Sequence, residues 1–314
     1  MNINSLNKLK LSNLKKEYQL FKFLSLGNWK FFVAGLALSI LWPSASTATK
    51  LGLTSAQPFV ISSTRFLIAG LIMLFISHVV LGNRLPSKAE WKSIIVYGFL
   101  NVSLYLGLYI IAMQEVSAGL GSLAIAINPV FISLIAVSLF AHTITKRHVL
   151  SLVMCLLGVT IAAFPLIKNS FATPLGIGLL LTSMIIYSFA TVYYSRVQWN
   201  GLQILTINGW QTIIGGIFTF PILLITYQPE KNLYDANFWK SVIWLSIPVS
   251  IVAVQLWLYL VKQNPINASF WLFLCPIFGF AFAKIMMQEP ISWFTFLGVL
   301  LVLSGLYLVQ RIKK

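Results

Sequence analysis

Apolar residues run almost unbroken through this chain, and polar residues gather in short gaps between the runs. The pattern predicts ten stretches of roughly the 20 residues that a helix needs to cross a bilayer. They are Phe31–Thr49, Gln57–Leu81, Ser93–Ala112, Ser117–Phe140, Arg147–Leu166, Pro174–Ser195, Gln203–Thr226, Trp239–Val261, Ile266–Met287 and Ile291–Gln310. Runs such as Phe31 to Ala48 and Leu297 to Val309 lack the period of two that marks an outer-membrane barrel. Lipid offers no partner to an unpaired backbone group, so the predicted spans are helices. The connections are short, so neighbouring helices run antiparallel, and no soluble domain is inserted.

The runs fall into two halves of five, residues 31–166 and 174–310. A shift of 147 residues aligns the ends of the halves without a gap: Pro129 meets Pro276, Phe131 meets Phe278, Ala136 meets Ala283, Leu150 meets Leu297 and Gly158 meets Gly305. The starts align loosely, with Gly70 near Gly216 at a slightly different offset. An odd number of crossings per copy turns the second copy upside down relative to the first. The predicted fold class is therefore all-α integral membrane, ten transmembrane helices as two inverted five-helix repeats, a common way to build a transporter.

Composition agrees. The 314 residues are 58% hydrophobic and 9% charged, and mean hydropathy is +0.87; a soluble domain carries about 25% charged residues. The net charge of +16 does not mark a nucleic-acid surface, because it is spread by topology. Tails and loops on the side of the N-terminus hold sixteen Lys and Arg, whereas those on the other side hold Lys50, Lys168, Lys231 and Lys240. The positive-inside rule then puts both termini in the cytoplasm, with the plasma membrane (the bacterial inner membrane) as the expected location. Trp29, Trp91, Trp239 and Trp293 sit at span ends as interfacial anchors.

Segment 1–30 does not read as a secretory signal: it is long before the apolar run, and no small-residue cleavage site follows. Leu11, Leu14, Tyr18 and Phe21 recur at helical spacing between lysines, which fits either an interfacial helix on an anionic membrane face or a basic cytoplasmic tail. Residues 311–314 form a short cytoplasmic tail. Cys155 and Cys275 lie in apolar stretches and read as small hydrophobes.

Leu41-Trp42, Lys50-Leu51-Gly52-Leu53, Pro58 and Thr64-Arg65-Phe66 open the first half. Pro265, Ala268, Cys275-Pro276, Gln288-Glu289-Pro290-Ile291, Gly298 and Gly305 close the second. In order and spacing these motifs resemble the drug/metabolite transporter superfamily, in its EamA-type ten-helix branch, over about residues 31–312. The resemblance implies transport of small organic metabolites, amino acids and toxic compounds among them, through a central cavity lined by six of the helices. One departure stands out: the turn Glu of the family is Glu289 in the second copy but His142 in the first.

Ionisable groups inside a bilayer are expensive and default to functional hypotheses. Arg65 lies about a third of the way into the second span and reads either as a partner for an anionic substrate group or as a structural cation bonding freed carbonyls; Lys284 reads as snorkelling. Glu289 precedes the tenth span and is placed to cap it. Pro129 and Pro276 interrupt their helices and are gating candidates. The substrate-binding candidates are the polar and aromatic groups deep in spans: Trp42, Tyr105, Asn128, Tyr187, Gln255 and Trp271. Each also has a packing reading, and Asn128 has a role available in bonding backbone freed by Pro129.

No carboxylate lies deep in any span, which argues for downhill movement or coupling through something other than a buried acid. The expected function is a secondary transporter, exporting small neutral or zwitterionic metabolites such as amino acids by alternating access. A membrane scaffold or lipid flippase is the alternative. An intramembrane enzyme fits less well, since no H-E-x-x-H, G-x-S-x-G or paired intramembrane aspartates occur. No cofactor or metal is expected, and no nucleic-acid partner. The expected partners are a small-molecule substrate and membrane lipids, with a homodimer as an open assembly.

Overall fold

Helix starts follow the local chemistry. Ser87 accepts from the Glu90 N–H while the Glu90 carboxylate accepts from the Ser87 N–H, a reciprocal capping box. Thr173 accepts from Gly176 N, Asp235 from Phe238 N and Ser292 from Thr295 N in the same manner.

The computed structural model describes residues 29–139, 146–168, 171–263, 268 and 271–310. The segment 1–28, His142, Pro265 and the tail 311–314 lie outside the described residues. Those described form ten helical rods, and we number them α1 to α10. The first half holds α1 (Trp29–Leu53), α2 (Pro58–Val80), α3 (Lys88–Glu115), α4 in two pieces (Ala118–Ile125 and Asn128–Leu139) and α5 (Lys146–Lys168). The second holds α6 (Pro174–Arg196), α7 (Ile204–Thr226), α8 (Ala236–Gln263), α9 (Trp271–Leu274 in 3-10 form, then Cys275–Met287) and α10 (Trp293–Gln310). Eight of the rods are long and apolar enough to cross a membrane, and α9 and α10 are shorter apolar helices. Leu67, Leu71, Phe75 and Val79 form a stripe on α2 in which every member is more than half exposed. In water that face would be a liability; in an integral membrane protein it meets lipid.

In three of the five counterpart pairs the helices of the two halves lie side by side and run in opposite directions. At one end of the α2–α7 pair, Gln57 Nε2 donates to Thr226 O (2.7 Å); at the other, Trp210 Nε1 donates to His78 Nε2 (3.0 Å). In the α5–α10 pair, Ser151 meets Gly305, Gly158 meets Gly298 and Phe164 meets Phe294. In the α4–α9 pair, Gly279 sits against Ser122 while Glu289 reaches Ala118 and Gly119. Small residues carry these approaches, as expected where helices associate by close backbone packing.

Both interrupted helices break at matching places. The first piece of α4 ends at Ile125 and the second begins at Asn128-Pro129; in α9 the 3-10 turn ends at Leu274 and Cys275-Pro276 opens the α-helix. Proline without an N–H is tolerated in a first helical turn. A second matched irregularity was not expected from the sequence: α3 and α8 each widen into a π-helix, at Phe99–Leu106 and at Leu245–Ala253.

Candidate functional site

On α3, Tyr97, Asn101, Tyr105 and Tyr109 recur every four residues. In a regular α-helix each such step overshoots a full turn by about 40°. The wider π turns of Phe99–Leu106 offset that drift, so all four side chains reach one cavity. π-Helical turns gather at functional sites in general.

The cavity lies between the halves. Trp42 and Ala45 of α1, Arg65 of α2, the α3 row and Ile125 of α4 meet Tyr187 of α6 and Val249, Val254 and Trp257 of α8. Its volume is about 40 Å³, room for a few waters at roughly 10–15 Å³ each. One wall is aromatic. Trp42 packs edge-on to Trp257 (5.5 Å between centroids) and Tyr187 (5.8 Å), and Tyr187 lies 4.7 Å from Tyr105. Each such pair is worth about 0.5–1.5 kcal/mol beyond area burial, which holds the wall in shape.

Another part of the lining is polar. Arg65 is buried and its Nε donates to Ser250 Oγ on α8 (2.8 Å). Ser246 Oγ donates to the Arg65 carbonyl (3.2 Å). A chain of amides runs beside it. Asn208 Nδ2 donates to the Ser250 carbonyl (2.9 Å), Gln211 Nε2 to Asn208 Oδ1 (2.9 Å), and Asn101 Nδ2 to Gln211 Oε1 (3.0 Å). The backbone carbonyl at the head of the chain fixes every amide orientation behind it, because an oxygen can meet only an N–H. Asn101 Oδ1 ends the chain, buried and without a partner.

Contacts close the cavity at both ends. Towards the end where α1 begins, Tyr97, Tyr194 and Trp199 stack with centroids 5.2 Å (Tyr97–Tyr194) and 5.4 Å (Tyr194–Trp199) apart. Beyond them, Arg84 forms a two-pronged pair with buried Glu90 (2.7 Å to each oxygen) and also donates to Asn200 O (3.1 Å), tying the α2–α3 and α6–α7 connections together. Towards the other end, Ser46 Oγ and Tyr109 Oη share a hydrogen bond (2.7 Å), and Ser122 Oγ lies 3.1 Å from Ser46 Oγ. Past that seal opens a vestibule of about 510 Å³, lined among others by Lys50, Glu115, Thr173 and Glu289.

Of the residues nominated from sequence, Trp42, Tyr105 and Tyr187 come together on the cavity, joined by Arg65. Asn128, Gln255 and Trp271 do not line it. Asn128 is buried near Ser188, and its Nδ2 has no partner. Trp271 packs against Phe32 and accepts from Ser39 through its carbonyl, on the flank of α1. Pro129 and Pro276 mark the breaks in α4 and α9, away from the lining. Glu289 caps α4 rather than α10: Gln288 takes a left-handed conformation (φ 54°) that turns the chain, and the Glu289 carboxylate then accepts from Ala118 N and Gly119 N (3.0 Å). α10 is capped by Ser292 instead. Among the polar and aromatic lining, the residues missed are Tyr97, Asn101, Tyr109 and Trp257, with Asn208, Gln211 and Ser250 behind them. The four-residue ladder on α3 was the available signal for Asn101.

Two inverted five-helix halves around an enclosed cavity define a transporter architecture. The EamA-like transporter family model matches this chain twice, over residues 29–164 and 174–311, and the chain belongs to that family. An uncharacterized transporter of Archaeoglobus fulgidus is 27% identical over 278 residues, covering 88% of this chain and 97% of its own. Protein PecM of Dickeya dadantii is 24% identical over 277 residues, covering 87% and 90%. A solved crystal structure shares the fold at TM-score 0.64 with 17% identity, covering 88% of this chain and 94% of its own.

Proposed function

We propose that this transporter is a secondary carrier that exports small neutral or zwitterionic organic metabolites, of amino-acid size, from the cytoplasm of a bacterial cell. The observation that carries the reading is the cavity shared by both halves, with a separate cluster of contacts towards each end. The aromatic stack of Tyr97, Tyr194 and Trp199 forms the cytoplasmic gate, and the hydroxyl cluster of Ser46, Tyr109 and Ser122 forms the outer gate. The lysine and arginine bias supports this choice of sides, with both termini in the cytoplasm.

At about 40 Å³ the cavity is closed down, and a metabolite enters only as the halves rock apart. Opening one gate while the other holds gives alternating access. The aromatic wall offers a flat apolar face, and the Arg65 wall offers polar contacts. No carboxylate lines the cavity among the described residues, so movement runs down the substrate gradient or couples through a group other than a buried acid. The purified protein in liposomes, loaded with a panel of radiolabelled metabolites, is expected to release at least one neutral or zwitterionic compound faster than empty liposomes do. Release unchanged across the panel would overturn the reading. Concentrative transport lost on collapse of the pH gradient would overturn the claim about coupling.

A further inference from the structure

Arg65 is a cation in the interior of a membrane protein, and no Asp or Glu among the described residues pairs with it. Its guanidinium has five N–H donors. The Nε–H is used on Ser250; among the described residues no hydrogen bond occupies the four on the Nη atoms, and the guanidinium lies 5.6 Å from the Phe66 ring centroid. Burying a charge without a counter-charge is strongly unfavourable. The side chain does not snorkel, since it is buried and tethered to α8. Cation and tether together read as a socket held ready for an anion.

Asn101 supplies the complement. The amide chain that starts at the Ser250 carbonyl has one outcome at its far end, an oxygen with no donor. A buried acceptor left unmatched is destabilising unless a donor arrives. Both Asn101 and Arg65 line the cavity, and Ser250 orders both: its hydroxyl accepts from Arg65 and its carbonyl heads the chain to Asn101. One residue of α8 thus sets a donor pole and an acceptor pole together.

We propose that the cavity is a two-pole site: Arg65 takes the carboxylate of the substrate, and Asn101 Oδ1 accepts an N–H from the amino group of the same molecule. The faces of Trp42, Tyr105, Tyr187 and Trp257 hold an apolar side chain and add attraction for the ammonium. The site therefore selects small apolar zwitterions over the matching acids and amines. This rests on the carrier reading for its role in transport, but not for binding.

The test uses matched trios on the full-length protein: leucine with its deaminated acid and its decarboxylated amine, and phenylalanine with the same two analogues. Binding is read in detergent from the fluorescence of the cavity tryptophans, and flux is read in liposomes. The wild type is expected to prefer each zwitterion by about tenfold or more over either analogue, the loss that follows from an unmatched buried polar group. Arg65→Gln is expected to bring zwitterion and amine level, and Asn101→Leu to bring zwitterion and acid level. Equal binding of all three by the wild type would overturn the proposal without recourse to any variant. So would a well-folded Arg65→Gln protein that keeps its preference for the zwitterion over the amine. Two-pole binding without flux would overturn the carrier reading and leave the site standing. Flux of zwitterion and analogues alike would do the reverse.

Discussion

A close glycine seam joins α5 and α10, and it gives the sharpest test. A Cβ on Gly298 would stand 2.4 Å from Gly158 O and 2.7 Å from Ala162 Cβ; a Cβ on Gly158 would stand 2.7 Å from Gly298 O. Ordinary contact begins near 3.4 Å, so Gly298→Ala forces the helices apart by about 1 Å at this level. The obstructing atoms include backbone, which cannot rotate aside as a side-chain tip can. Overpacking of this kind costs about 1–3 kcal/mol. Against it stands the helix-propensity gain of alanine over glycine, roughly 1 kcal/mol. Gly178→Ala, on the exposed face of α6 with nothing within 4 Å of the new Cβ, takes that gain without the clash. The difference between the two variants isolates the seam. Thermal unfolding in detergent should put Gly298→Ala several degrees below wild type, at roughly 2–4 °C per kcal/mol, and Gly178→Ala level with it or above. Identical midpoints for the two variants would refute the close approach of α5 and α10.

Glu289→Ala removes the acceptor for two N–H groups at the start of α4 and should cost about 2–4 kcal/mol, read as a lowered unfolding midpoint; an unchanged midpoint would contradict the cap. Trp42→Ala and Tyr187→Ala should cut flux about tenfold or more while the folded fraction holds, whereas Trp271→Ala, off the cavity, should keep flux within about twofold. Glu90→Gln replaces one acceptor oxygen of the Arg84 pair, and the Asn200-Gly201 turn should then become more open to protease; unchanged cleavage would count against the tie.

Much of the fold could be read from the chain. The ten apolar runs report on the depth of a residue in the membrane, which hydropathy encodes directly, and the proline and glycine matches at a fixed offset report on the repeat. The site was harder, because depth says nothing of the direction in which a side chain faces. Trp42, Tyr105 and Tyr187 reach the cavity, while Gln255 and Trp271, chosen on the same ground of depth, do not line it. The rotation of α8 and α9 is set by a π-helix and a 3-10 turn, and neither leaves a mark in hydropathy. Asn101 shows a second limit. Its meaning comes from Gln211, Asn208 and Ser250 on two other helices, a relay that no linear spacing displays.

The antiparallel pairing of three first-half helices with their own counterparts bears on how the protein is made. α2 leans on α7, α4 on α9 and α5 on α10, so these three rods leave the ribosome with their main neighbours still unsynthesised. They must wait in the bilayer with small-residue grooves unfilled. Assembly then closes like a zip as the second half inserts, and a chain severed near residue 171 should mature only when both fragments are supplied together.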